Sequence, residues 1–302
     1  MYQVQLNWAA TAASRPANAT DPADPAYRWP KTVDTAVREA GDHGIQVAIM
    51  VRGAPGWANG GQEASAAPSS PSDYADFLRA AAARYPGVRR WMVWGEPTRP
   101  GNFSPMPANS RVGPRRYAQL VDAAYAALKQ ANRANIVIGG MTWTLGLVSP
   151  ADFVKWMRLP NGKPPRMDLF GHNPFTARTP SFKDPPLGHG FADFSDLHVL
   201  TGWIDKYLGR AGRNHKLRLF LAEFGAPTDH ANYEFNFHVT QAVQAKWTTA
   251  AYRLADHWSR IYALGWFSLY DDDPRPDGLQ VNRGLLTFTG KRKPAYFAYR
   301  NG

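Results

Sequence analysis

The feature that most constrains this chain is the alternation of short apolar runs with segments of helical period. The runs at 3–8, 45–51, 91–94, 136–141, 167–172, 217–224 and 266–270 read as strands. Helix-period segments occupy 31–42, 73–85, 114–131, 150–158, 196–208 and 239–264, and a short one runs from Pro294 to Arg300. Ser72 and Ser149 stand where helix N-caps are needed, and Pro114 suits a first helical turn. Strands and helices in strict alternation imply a parallel sheet, either closed as a barrel or open and doubly wound. The links choose between these. Helix-to-strand links such as Gly41-Asp42-His43-Gly44 are short, whereas the strand-to-helix links at 52–71, 98–113, 173–195, 225–238 and 271–292 are long. Parallel barrels build their sites from long loops at that end. No glycine-rich first turn or phosphate loop is present to favour the open sheet. The expectation is an α/β fold, a TIM (β/α)8-type barrel forming one domain over 1–302. Seven strands are counted, and a closed barrel needs eight.

Composition removes several classes of function. With no cysteine there is no disulfide framework, thiolate metal site or cysteine nucleophile. The net charge of +11 is spread along the chain, and the densest runs are short: Arg89-Arg90, Arg115-Arg116 and Lys291-Arg292-Lys293. This reads as a solvated basic surface, without a nucleic-acid motif or an apolar run long enough to span a bilayer. Met1-Tyr2-Gln3-Val4 begins with strand-like residues rather than a signal peptide, which leaves the location open, secretion included. Asp271, Asp272, Asp273 and Asp277 lack EF-hand spacing and read as a solvated acidic loop. His189, His198, His215 and His230 lack metal-ligand spacing, and no G-x-S-x-G elbow occurs. Neither a metal nor a cofactor is expected.

The chain has five glutamates, Glu39, Glu63, Glu96, Glu223 and Glu234, and two of them close candidate strands. Glu96 ends Trp91-Met92-Val93-Trp94-Gly95-Glu96, and Glu223 ends Leu219-Phe220-Leu221-Ala222-Glu223. A carboxylate at the end of an apolar strand is costly unless paired or wet. Two of them facing across a barrel mouth suit glycoside hydrolysis, in which one protonates the leaving oxygen and the other attacks the anomeric carbon or activates water.

These segments resemble a known group. Trp94-Gly95-Glu96-Pro97 resembles the W-N-E-P acid/base motif of the clan A retaining (β/α)8 glycoside hydrolases, and Leu221-Ala222-Glu223-Phe224-Gly225 resembles their nucleophile motif. Ala54-Pro55-Gly56-Trp57-Ala58, Gly171-His172-Asn173-Pro174-Phe175, and Gly284-Leu285-Leu286 with Lys293-Pro294-Ala295-Tyr296 fit further landmarks in order. The resemblance covers nearly the whole chain and is nearest to family 39 and family 5 members, xylosidase-like and cellulase-like.

The resemblance implies that Glu96 is the general acid/base, with a pKa raised by burial and by the second carboxylate, and that Glu223 is an ionised nucleophile. The implied reaction is a retaining double displacement on a β-linked oligo- or polysaccharide. It also sets the register: Glu96 ends strand four and Glu223 strand seven, so the absent strand is the first. Gly95 departs from the motif, because the usual Asn bonds the sugar 2-hydroxyl. That keeps a catalytically weak or inactive carbohydrate-binding barrel as an alternative. A different barrel enzyme, using these carboxylates for proton transfer or metal binding, is a second.

Trp8, Trp57, Trp94, Trp143, Trp266 and Tyr270 lie at or just beyond strand ends, where aromatic rings stack on sugars. Of these, Trp8, Trp57, Trp94, Trp266 and Tyr270 are taken as substrate-binding candidates. His172 and Asn173 join them as partners for the nucleophile or for sugar hydroxyls. Trp247 and Trp258 fall on a helical stripe and read as core.

Overall fold

The computed structural model describes residues 1–209 and 216–301, so His215 lies outside the described residues. Seven parallel strands run in sheet order β1 (Tyr2–Asn7), β2 (Val47–Arg52), β3 (Arg90–Val93), β4 (Ile136–Trp143), β5 (Leu169–Asn173), β6 (Arg218–Phe224) and β7 (Ile261–Trp266). Nine helices accompany them among the described residues: α1 (Trp8–Thr11), α2 (Lys31–Asp42), α3 (Gly56–Asn59), α4 (Pro71–Arg84), α5 (Val112–Ala131), α6 (Pro150–Trp156), α7 (Leu197–Tyr207), α8 (Gln241–His257) and α9 (Pro294–Asn301). The sheet is a TIM-type barrel lacking one strand. Among the described residues nothing pairs with the outer edges of β1 and β7.

Strand patterning follows from burial on both faces. In β2, Val47, Ile49 and Val51 join the cluster packed under the helices, while Ala48 and Met50 join the cluster inside the barrel. In and just before β6, Leu217, Leu219 and Leu221 face the helices, and Phe220 and Ala222 face inward. Such two-faced burial produces the continuous apolar runs seen in the sequence. The alternation breaks in β6, where the register with β7 shifts between Leu221 and Phe224. A bulge re-aims a side chain. Ala222 packs in the barrel interior and Glu223 also lines an inner cleft, while Phe224 returns to the helix side.

Two boundaries differ from the sequence expectation. Ser70 rather than Ser72 caps α4, its hydroxyl accepting from Ser72 N at 3.3 Å. The helix expected over 239–264 ends at His257, and β7 starts at Ile261 rather than at 266. The run Ile261-Tyr-Ala-Leu-Gly-Trp has no residue that marks the boundary, and pairing with β6 decides it. Trp258 therefore stands just past the helix, partly buried against His198, with ring centroids 4.2 Å apart.

The acidic loop and the last basic run also differ. Asp271 and Lys293 are buried and paired at 3.0 Å, so neither is part of a solvated surface. This pair ties the long loop after β7 to the start of α9.

Gly95 has a packing reason. A Cβ built there would lie 2.7 Å from Met50 Sδ, so the Met50 side chain fills the space that Asn would need. Gly95→Asn should therefore destabilise the fold by roughly 1–3 kcal/mol through overpacking. In urea unfolding, Gly95→Asn combined with Met50→Ala should cost at least about 0.5 kcal/mol less than the two single losses added together. Strict additivity would mean that the two sites do not meet.

Candidate active site

Glu96 leaves β3 on a tight turn. Trp94 and Glu96 take left-handed backbone, with φ of 63° and 43°, around Gly95. Non-glycine residues hold such conformations only when their surroundings force them. Here Trp94 is the anchor. Its indole Nε1 donates to Asn102 O at 2.7 Å, and its ring meets Phe103 edge-on with centroids 5.3 Å apart. Trp94 is fully buried, so it braces the turn and offers no face to a sugar. Trp8 is likewise buried, between Trp57, Tyr74 and Phe77.

The Glu96 carboxylate is buried and held on both oxygens. Asn173 Nδ2 donates to Oε1 at 2.9 Å, and Arg99 donates to Oε2 at 3.2 Å. Arg99 also donates to Glu234 at 3.1 Å, and Arg283 pairs with the other Glu234 oxygen. Arg283 reaches Asp272 at 3.7 Å and lies 4.4 Å from the Phe267 ring centroid. A line of ion pairs thus crosses the barrel mouth, drawn from the loops after β3, β6 and β7. Sequence reading assigned no role to Arg99, Glu234 or Arg283. Arg99 follows Glu96 by three residues, a usable signal. The link through Glu234 and Arg283 exists only in three dimensions.

Glu223 lines the cleft at the open seam of the barrel, a space of about 570 Å3 shared with Gln3, Trp266 and Tyr270. Burial pushes its pKa up to about 7, and the charges of Glu96 and Glu234 push the same way. Arg283 and a hydrogen bond with Gln3 oppose the shift without cancelling it. This is a departure from expectation, because the clear upward shift falls on the residue assigned as the ionised nucleophile. The cause is visible in the contacts: Arg99 bonds Glu96 directly, while Arg283 acts on Glu223 only through space.

The remaining candidates divide. Asn173 meets Glu96, and Trp266 and Tyr270 share the seam cleft with Glu223. Trp266 donates to Arg283 O at 3.1 Å, and Tyr270 is 49% exposed, which leaves its ring free to stack. His172 is fully buried and committed to the scaffold. Burial lowers its pKa to about 4, so the ring is neutral. Its Nδ1 meets the Thr142 hydroxyl at 2.8 Å and its Nε2 meets Ala192 O at 3.0 Å. A carbonyl can only accept, so Nε2 carries the proton and Nδ1 accepts from Thr142. No ring nitrogen remains for a substrate. Trp57 is set aside as well, with its Nε1 bonded to Ala12 O at 2.7 Å and Arg15 over its ring at 4.4 Å. Among the described residues, no group of three or more His, Asp or Glu could hold a metal ion, and no helix is long and apolar enough to cross a membrane.

The Glu223 shift has a consequence for stability. Between its ordinary 4.5 and about 7 the folded chain binds more protons than the unfolded one, so this residue costs stability as pH rises through that window. Glu223→Gln removes the cost. Its advantage in urea unfolding should grow from pH 5 to pH 8, by about 2 kcal/mol. An advantage that does not change with pH would contradict the shift.

Comparison with known proteins agrees with this architecture. No family model and no curated protein matches the chain. Solved structures do. A family 39 glycoside hydrolase from the gut symbiont Bacteroides cellulosilyticus WH2 is similar over 97% of this chain and 56% of its own, with a TM-score of 0.66 and 19% identity. A glucosidase from Croceicoccus marinus is similar over 99% of this chain and 59% of its own, with a TM-score of 0.65 and 15% identity. A monomeric beta-xylosidase from Caulobacter crescentus CB15 is similar over 99% of this chain and 66% of its own, with a TM-score of 0.59 and 16% identity. The chain spans between 56% and 66% of the length of these three proteins. In fold, this chain is similar to the family 39 glycoside hydrolases.

Proposed function

We propose that the chain is a glycoside hydrolase acting on a β-linked glycan by retaining double displacement, with Glu96 as general acid/base and Glu223 as nucleophile. The observation that carries this reading is the placement of two carboxylates at the barrel mouth: Glu96 is held by Asn173 and Arg99, and its charge adds to burial in raising the pKa of Glu223. The reaction needs a proton on Glu96 and an ionised Glu223. Glu96 then protonates the leaving oxygen while Glu223 attacks the anomeric carbon, and water later releases the glycosyl-enzyme. A protonated Glu96 needs one oxygen free of donors, and Arg99 can yield because Glu234 already holds its other nitrogen. Trp266 and Tyr270 lie beside Glu223 to meet the sugar.

One observation favours a second reading. Met50 fills the space of the usual Asn, which removes a contact to the 2-hydroxyl and suits a barrel that binds sugar without turnover. Covalent trapping separates the two. An activated 2-fluoro glycoside should label Glu223, as read by peptide mass spectrometry, and Glu223→Gln should abolish the label. Sugar binding without any label would support the binding barrel.

Two kinetic outcomes are expected. Glu223→Gln should lower kcat by about 10³-fold or more on every substrate, whereas Glu96→Gln should cost ~10²–10⁴-fold on alkyl glycosides and far less on dinitrophenyl glycosides, which need little protonation. Equal losses on both substrate types would argue against the assigned roles. The profile of kcat/KM should also fall as pH rises through about 7, where the two carboxyls lose the one proton that the reactive form needs. Glu234→Gln should move that limb to lower pH, because it removes a negative charge and frees Arg283. An unmoved limb would disconnect Glu234 from the pair.

A further inference from the structure

A second cleft of about 530 Å3 opens on the Glu96 side of the barrel mouth, away from the seam. Its apolar wall is Trp143, Leu145, Phe175, Leu187, Phe235 and Phe237. The rings are mutually arranged. Phe175 and Phe235 lie 5.5 Å apart between centroids, and Phe235 meets Phe237 near-perpendicularly at 5.8 Å. Leu145 and Leu187 are each 41% exposed at the rim.

The polar groups of this cleft are already engaged with one another. Arg178 pairs with Asp193 at 3.0 Å and with Asp196 at 3.3 Å. The Thr176 hydroxyl donates to Asp193 at 2.7 Å, and the Thr144 hydroxyl to Phe175 O at 2.6 Å. Glu234 is held by Arg99 and Arg283. What remains for a ligand is apolar and aromatic surface, with the exposed Asn236 as the chief free polar side chain. A sugar ring would bury hydroxyls here with few partners, which is costly. An aryl or alkyl group would bury only carbon, and the volume falls in the range of small-molecule pockets.

The position adds the chemistry. Arg99 lines this cleft and donates to Glu96 Oε2 at 3.2 Å, and Phe175 lies two residues beyond Asn173, which donates to Glu96 Oε1. Glu223 lines the other cleft. In a retaining glycosidase the leaving group sits on the side of the acid. We infer that this cleft binds an apolar aryl or alkyl group, which is the aglycone of the substrate. The identity of that group as a leaving group rests on the proposed function. The apolar site itself does not. The implied substrates are glycosides of hydrophobic alcohols or phenols rather than long polysaccharides.

Two measurements on the full chain test this. In calorimetric titration, 2-naphthol should bind with a Kd below about 1 mM, and Phe235→Ala and Leu187→Asp should each weaken it at least about fivefold. Both substitutions lie in loops, so neither variant depends on repacking the barrel. No binding, binding unmoved by either variant, or loss on Tyr270→Ala instead would overturn the inference. The second measurement presents each sugar as its methyl and its 2-phenylethyl glycoside, two alkanol leaving groups of similar basicity. The 2-phenylethyl compound should show at least about tenfold higher kcat/KM, and Phe235→Ala should erase the preference. Hydrolysis without that preference would overturn the aglycone role. Naphthol binding as expected, with no hydrolysis of any glycoside, would instead sink the proposed function and leave the apolar site standing.

Discussion

The barrel mouth depends on a charge mismatch. Four carboxylates, Glu96, Glu223, Glu234 and Asp272, share two guanidinium groups, those of Arg99 and Arg283. Cations are matched to Glu96, Glu234 and Asp272 by direct contact. Glu223 feels Arg283 only through space. Desolvation without a contacting cation favours the protonated form of a carboxyl. The pKa of Glu223 therefore rises to about 7. The same ion pairs hold the loops after β3, β6 and β7 together, so the electrostatics and the shape of the mouth are one problem.

The order of strands and helices was legible because both faces of the inner strands, β2 to β6, are buried. Apolar runs such as those containing β2 and β6 follow from that burial, and the unequal loop lengths told the functional end from the other. Glu96 and Glu223 could be singled out because a carboxylate is expensive where each stands. What could not be read was direction. Trp8, Trp94 and His172 sit at strand ends like Trp266, yet they point into packed surroundings, and sequence position alone does not say which way a ring faces. The β6 bulge is a similar case. By simple alternation Glu223 would face the helices with Leu219 and Leu221, and only the register shift against β7 turns it inward. The end of α8 was misread because a helix stripe and a buried strand have the same composition around Ile261. Asp271 and Lys293 were read as solvated because the two partners stand 22 positions apart in the sequence.

The two clefts give the site a polarity that neither glutamate has alone. The seam cleft carries Glu223, a partly exposed Trp266 and an exposed Tyr270, with hydrogen-bonding groups such as Gln3 at hand. The cleft on the Glu96 side is walled by aromatic and aliphatic carbon, with its charges neutralised internally. A ligand with a hydroxylated end and an apolar end would be oriented by this difference before any bond is broken, since reversing it would bury hydroxyls against Phe175 and Phe235. In the proposed reaction, orientation of that kind would offset part of the 2-hydroxyl contact that Gly95 cannot make. The Asn that usually holds the 2-hydroxyl works by fixing the sugar, and Met50 in its place fixes nothing polar. Anchoring the other end in the apolar cleft restrains the same rotation from further away. Binding energy from a part of the substrate remote from the reacting carbon can be used in this way only if the scaffold between the two clefts is rigid. The braced turn at Trp94 and the His172 contacts to Thr142 and Ala192 supply that rigidity.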